Sequence, residues 1–200
     1  MCIRDRSMGM VPIDAYETNA DAIVSSGYKW LRGTYGAAVG FISPSVVKTL
    51  IPGLMGFRSN SDIWDLRADR LELPEDASRF EFTTIHFGAV LGLAAAIDEL
   101  LEMGMDEVWR HDLELADHLI RGAEGLGIEV VSPTSESERS AIVSLRMPSG
   151  LSSVEVSNRL QSEYSILTTS RSGMLRVSPH IDNDISQIDS LVSALSDIIS

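Results

Sequence analysis

Apolar residues fall in short blocks over the first part of the chain. Residues 11–13, 22–24 and 37–42 are brief apolar runs separated by turn-forming and polar residues, which predicts three closely spaced buried strands. Gly33 and Gly36 permit positive backbone dihedrals and a tight reversal before the third strand. Ser43-Pro44 begins a short helix. Residues 52–79 carry Gly53, Gly56, Trp64, Pro74 and many charges with little periodicity, too long for an ordinary loop, so the segment is functional or packs on a partner. Thr83 and Thr84 can cap a helix that runs to about Met103, apolar all round and therefore expected to be buried, before Gly104 breaks it.

The pattern then changes. A second helix from Asp106 to about Glu124 is amphipathic, with Val108, Trp109, Leu113, Ala116, Leu119 and Ile120 on one side. His111 and His118 lie on the other, near Glu107 and Glu114, where a solvated polar face outweighs a metal site. Residues 128–131, 140–146, 166–169 and 174–177 read as strands. A helix starts at Ser153 after the capping box Ser152-Ser153-Val154-Glu155, and a last one follows Asn183 and Asp184. This order is an α+β layer.

Composition narrows the function. A chain of 200 residues with 44% hydrophobic content buries a substantial core, and its net charge of −13, without a basic stripe, argues against nucleic-acid partners. Cys2 is the sole cysteine, so no intramolecular disulfide forms, and neither a thiol catalyst nor a structural metal is expected. No apolar stretch has membrane-spanning length and no signal-peptide core is seen, so the expectation is no membrane and a cytoplasmic location.

The candidate chemistry centres on Lys29, which closes an apolar run and precedes Gly33, Gly36 and Gly40. A lysine amine beside apolar walls loses hydration, which suits such a residue to Schiff-base chemistry with a carbonyl. A lysine snorkelling at a strand end would look the same. The segment Ser26-Gly27-Tyr28-Lys29-Trp30-Leu31-Arg32-Gly33-Thr34-Tyr35-Gly36 resembles the cofactor-lysine segment of the class V aminotransferases, a family that includes aminotransferases, cysteine desulfurases, selenocysteine lyases and isopenicillin-epimerase-like proteins. The resemblance continues through Arg79-Phe80-Glu81-Phe82-Thr83-Thr84 and Leu175-Arg176-Val177-Ser178-Pro179-His180.

The resemblance implies an α/β fold: the remainder of a fold-type-I pyridoxal-phosphate large domain, followed by a small α+β C-terminal domain. It implies that Lys29 holds pyridoxal 5'-phosphate as a Schiff base and shuttles the substrate's α-proton. Ser26 and Tyr28 stand where relatives hold the cofactor phosphate, although tyrosine replaces the usual histidine and brings no positive charge; Tyr28 equally suits packing near Trp30. Thr84 matches the threonine that reaches the phosphate of a neighbouring subunit, which implies a homodimer with shared active sites; helix capping alone also explains it. Phe82-Thr83 departs from the small pair common before that threonine. Arg176 matches the arginine that receives the substrate's α-carboxylate, against the alternative of an ordinary strand arginine. Asp182 departs from the tyrosine common before Asn183, and Arg171 either assists or is a solvated loop residue.

Residues 1–7 look like translated adapter sequence, so family-like sequence is expected across 8–104, the rest of the large domain, and 105–200, the small domain. Where relatives place the acid on the pyridine nitrogen and the glutamine on the ring oxygen, this chain has Ile3 and Arg6; Asp5 reads as a chance acid out of register. The expectation is a C-terminal fragment of an aminotransferase-like enzyme acting on an amino acid, inactive alone. Cysteine desulfuration is disfavoured because the loop before Arg176 has no cysteine to accept sulfur. Selenocysteine-lyase or isopenicillin-epimerase-like chemistry is the nearest enzymatic alternative, and a non-catalytic dimerising scaffold with this fold is another.

Overall fold

The structure is a computed structural model describing residues 2–3, 6–135 and 137–200, with side chains from residue 6 onward. Asp5 lies outside the described residues. The chain divides into two compact units, Met1–Met105 and Asp106–Ser200.

The first unit is built on a three-stranded sheet. Strand β1 (Cys2–Ile3) pairs parallel with β2 (Ala22–Ser26), which pairs antiparallel with β3 (Ala38–Ile42), Val24 opposite Gly40. Along β2 burial alternates as the pleat requires, with Ile23 and Ser25 inward and Val24 partly exposed. No strand forms at residues 11–13. Pro12 has no amide to offer a ladder, and Asp14 Oδ1 instead accepts from the amides of Tyr16 and Glu17 to turn the chain. Ser43 caps the short helix α1 (Pro44–Val47), accepting from the Ser45 amide.

Residues 52–79 form an irregular segment with one 3-10 turn at Phe57–Ser59 and another beginning at Ala77. It is cross-linked by charge: Asp65 accepts from Arg67 and Arg70, and Arg70 also meets Glu72. Arg79, buried, donates to the Val47 carbonyl at 2.8 Å.

Helix α2 (Phe87–Met103) corrects two expectations. Its N-cap is His86, whose Nδ1 accepts from the Ala89 amide at 3.0 Å, so Thr83 and Thr84 lie outside it. Nor is it buried all round: Ala89, Leu93 and Leu100 face inward, whereas Phe87, Leu91, Leu101 and Met103 are exposed. Gly104, at φ +83°, ends it.

The second unit is α+β. Helix α3 (Met105–Gly125) leads into a four-stranded antiparallel sheet of order β4-β5-β7-β6, made of β4 (Glu129–Val130), β5 (Val143–Arg146), β6 (Thr169–Arg171) and β7 (Met174–Val177). Helices α4 (Ser153–Tyr164) and α5 (Ile185–Ile199) share its core, in which Leu119, Val143, Leu145, Val156, Leu160, Leu175 and Leu195 are fully shielded. Ser152 caps α4 by accepting from the Val154 amide, and Asp184 with Gln187 forms a reciprocal capping box on α5.

Strand β6 starts later than the apolar run 166–169 predicts. Ser165 adopts φ +59° and the Ile166 amide returns to the Leu160 carbonyl, so helix termination uses the residue that would have opened the strand. Ser172 and Gly173, both at positive φ, then make the two-residue turn joining β6 to β7.

Candidate functional site

Beyond Ser26 the chain enters a loop closed on itself. The Gly33 amide donates to the Gly27 carbonyl at 2.9 Å, the Arg32 amide to the Lys29 carbonyl at 2.9 Å, and the Gly27 amide to the Ala37 carbonyl at 3.0 Å. Trp30 and Leu31 are driven into the core, which leaves Lys29 half-buried at its margin. The positive dihedral predicted at Gly33 belongs to Arg32, at φ +56°, while Gly36 takes +96° as expected.

Gly33 is needed for close approach instead. A Cβ there would lie 2.6 Å from Leu93 Cδ1, and one on Gly27 would lie 2.9 Å from Leu93 Cδ2. Leu93 of α2 therefore wedges against both ends of the lysine loop. Sequence reasoning missed it, because one leucine among many in an apolar helix carries no distinguishing signal.

Tyr28 is exposed. Its ring stacks on Tyr35, with centroids 4.4 Å apart and planes at 22°. Lys29 Nζ lies 5.5 Å from the Tyr28 ring centroid, within cation–π range. Ser26 closes β2 with a buried hydroxyl that has no hydrogen-bond partner among the described residues. Thr84 is exposed on the loop before α2, in the same unit as Lys29.

Arg176 belongs to the second unit, in β7, where its Cα is registered against Ser144 on one side and Thr169 on the other. Arg171 is an exposed strand residue, not a loop residue. The stretch after β7 is tied to α3 by contacts that sequence reasoning did not foresee. His180 Nδ1 donates to Asp112 Oδ2 at 2.8 Å, and His111 Nε2 donates to the Asn183 carbonyl at 3.0 Å. Asp112 is fully shielded, and burial pushes its carboxyl above the ordinary value against the opposing pull of the His180 hydrogen bond. His118 Nε2 meets Asp189 at 2.6 Å. His111 is thus a part-buried clip to the turn after β7, while His118 bonds Asp189 at an exposed position, as a polar face allows; no group of three or more metal-binding side chains is found among the described residues. No helix among these residues is long and apolar enough to cross a membrane.

The fold and the lysine loop define a protein of the fold-type-I class. The chain belongs to the class V aminotransferase family, whose model matches residues 6–191. It is 25% identical over 207 residues to a probable cysteine desulfurase of Pyrococcus abyssi, covering 97% of this chain and 50% of that protein. Its fold is that of the apo cysteine desulfurase of Thermococcus onnurineus NA1, with a TM-score of 0.88, 24% identity, and 98% of this chain covered against 51% of the other. It is also that of the cystine C-S lyase C-DES, in complex with its reaction product cysteine persulfide, with a TM-score of 0.84, 23% identity, and 96% and 50% coverage. The chain spans about half the length of these relatives.

The cofactor that accompanies this family and fold is pyridoxal phosphate. The residues present fit it: the unbonded, buried Ser26 hydroxyl is a donor awaiting an acceptor such as a phosphate oxygen, and it stands three residues from the only lysine of the loop.

Proposed function

We propose that this chain is the C-terminal half of a pyridoxal-phosphate enzyme acting on an α-amino acid, with carbon–sulfur cleavage of a cysteine-like substrate as its reaction. The observation that carries the cofactor role is Lys29 in a closed loop, three residues along the chain from the buried hydroxyl of Ser26, which has no hydrogen-bond partner among the described residues. When bound, pyridoxal phosphate supplies an aldehyde carbon for a lysine amine and a ring that draws electrons from the substrate's α-carbon. Lys29 Nζ would hold that group through its amine and would take and return the substrate's α-proton. Ser26 Oγ donates to the phosphate, and the Tyr28 hydroxyl adds a second donor without charge. Thr84 reaches the phosphate of the neighbouring subunit in a homodimer, and Arg176 offers two parallel donors to the substrate carboxylate. A cytoplasmic location accompanies this reading.

Sulfur chemistry is supported by relatives that carry the name cysteine desulfurase. The β6–β7 turn upstream of Arg176 is Arg171-Ser172-Gly173-Met174, so it has no thiol to receive sulfur. We therefore read the sulfur as leaving in a small product, the kind of outcome named for C-DES. Transamination is the second reading, favoured by that same lack of a thiol.

The test uses the protein extended to the length of its relatives. Borohydride reduction of the cofactor-loaded protein is expected to fix the pyridoxyl group on Lys29, with Lys29→Ala abolishing the label; a label on Lys48 refutes the site. With cystine or cysteine, release of persulfide or sulfide is expected, whereas amino transfer from alanine to a keto acid without sulfur release selects the second reading.

A further inference from the structure

We propose that the Tyr28–Tyr35 stack is a parking platform for the Lys29 ammonium, making Tyr35 a positioning residue that acts through Tyr28. This deepens the cofactor site proposed above and rests on that reading of Lys29.

The geometry has three parts. Tyr28 follows Gly27, whose amide is fixed to Ala37, and precedes Lys29, whose carbonyl is fixed by the Arg32 amide, so its backbone is held on both sides. Its ring would still be free to turn about its side-chain bonds, being 42% exposed. Tyr35, from the far side of the reversal, stacks on it at 4.4 Å and removes that freedom. The ring so fixed has Lys29 Nζ 5.5 Å from its centroid, where the negative face of the π-system attracts an ammonium.

The chemical consequence concerns the lysine before it bonds a carbonyl. A contact that favours the ammonium must be given up when the amine attacks, since the nucleophile is the neutral amine and the new C–N bond forms only after a proton leaves nitrogen for solvent. The platform thus helps set where the lysine waits before it bonds a carbonyl and slows its indiscriminate reaction with aldehydes. At partly exposed sites such contacts are worth about 0.5 to 1 kcal/mol, which corresponds to about a 2- to 5-fold change in rate. The phenol hydroxyl is not involved, which separates this role from phosphate binding.

The chain has only two lysines, Lys29 and Lys48, and Lys48 pairs with Glu75 on the surface, so it serves as an internal control. Reductive 13C-methylation places reporter methyls on both. In the 200-residue chain, the Lys29 methyl signals are expected upfield of those of Lys48, shielded by the ring current. Tyr28→Leu removes that displacement, Tyr35→Ala reduces it, and Tyr28→Phe keeps it.

The second readout uses pyridoxal, which lacks the phosphate. Its rate of borohydride-trapped attachment to Lys29, relative to Lys48, is expected to rise about 2- to 5-fold in Tyr28→Leu, to rise less in Tyr35→Ala, and to stay unchanged in Tyr28→Phe. If Tyr28→Leu perturbs the fold, seen as a moved Lys48 signal, Tyr35→Ala against Tyr35→Phe decides. Lys29 signals and rates equal across wild type, Tyr28→Leu and Tyr35→Ala overturn the platform. A loss of affinity for the phosphate-bearing cofactor alone, in Tyr28→Phe of the extended protein, reports on the phosphate role and leaves the platform standing.

Discussion

His180 Nδ1 reaches Asp112 Oδ2 at 2.8 Å while Asp112 itself is shut off from water. The pair joins α3 to the turn that follows β7, and the adjacent His111 holds the Asn183 carbonyl of the same turn. The Asn183 side chain closes that turn internally by accepting from the His180 amide at 3.1 Å.

Burial of Asp112 gives stability an unusual pH dependence. Because its carboxyl sits above 3.8 in the folded chain, the folded state keeps a proton that the unfolded chain has released. The Asp112 contribution is therefore fully present below 3.8 and is lost as pH rises through the raised value. Asp112→Asn keeps a hydrogen-bond acceptor and removes the titration. Urea unfolding is expected to show the stability of wild type relative to Asp112→Asn falling as pH rises across that window. His180→Ala leaves the buried carboxylate without this partner and is expected to cost about 3 to 5 kcal/mol near neutral pH.

Gly33→Ala tests the wedge at the lysine loop. The new Cβ would lie 2.6 Å from Leu93 Cδ1, 3.1 Å from the Gly27 carbonyl oxygen and 3.2 Å from the Leu93 Cα, so the Leu93 side chain must turn aside and the backbone must give by a few tenths of an ångström. The expected cost is about 1 to 3 kcal/mol. Combined with Leu93→Ala, the loss should be smaller than the sum of the two single changes, a coupling that thermal unfolding of all four species measures. Strict additivity would place Leu93 out of contact with the loop.

Arg176→Lys in the extended protein keeps the charge and loses the planar fork. We expect it to weaken use of α-amino acids by about 2 to 5 kcal/mol in kcat/KM if the carboxylate pair is desolvated, with cofactor absorbance nearly unchanged. Amines without a carboxylate should be affected far less. Equal losses for both substrate types would make Arg176 a structural strand residue.

Asp65 anchors the irregular segment. Its hydrogen bonds from Arg67, and further contacts with Arg70, lower its pKa to about 2. Since the folded value lies below the ordinary 3.8, its contribution is present above 3.8 and is lost as pH falls through about 2. Asp65→Asn is expected to speed cleavage at Arg67 and Arg70 by an arginine-directed protease at neutral pH. Unchanged cleavage rates would show that other contacts hold the segment.

Local chemistry was legible where one residue type has one physical use. Asn183 and Asp184 announced α5, Gly104 ended α2, and Ser43-Pro44 opened α1 because capping depends on neighbours within a few positions. The lysine segment was legible for a similar reason, since residues 26–36 are contiguous. Residues 11–13 misled because a short apolar run does not reveal whether a strand lies within ladder distance. Thr83 and Thr84 looked like caps, but His86 supplied the acceptor closer to the first helical turn.

By itself the sequence determined the α+β order of the second unit, carried by periodicity and short-range chemistry, and, through the resemblance of its motifs, the class V family pattern and the position of Lys29 within it. Only the tertiary structure decided that Leu93 wedges between Gly27 and Gly33, that Tyr35 stacks on Tyr28, and that Asp112 takes His180 as its partner. These contacts join residues far apart along the chain, or across a reversal, where many side chains of equal propensity compete. Which pair meets is set by the geometry of packing, through the space a missing Cβ leaves and the need of a buried carboxylate for a donor.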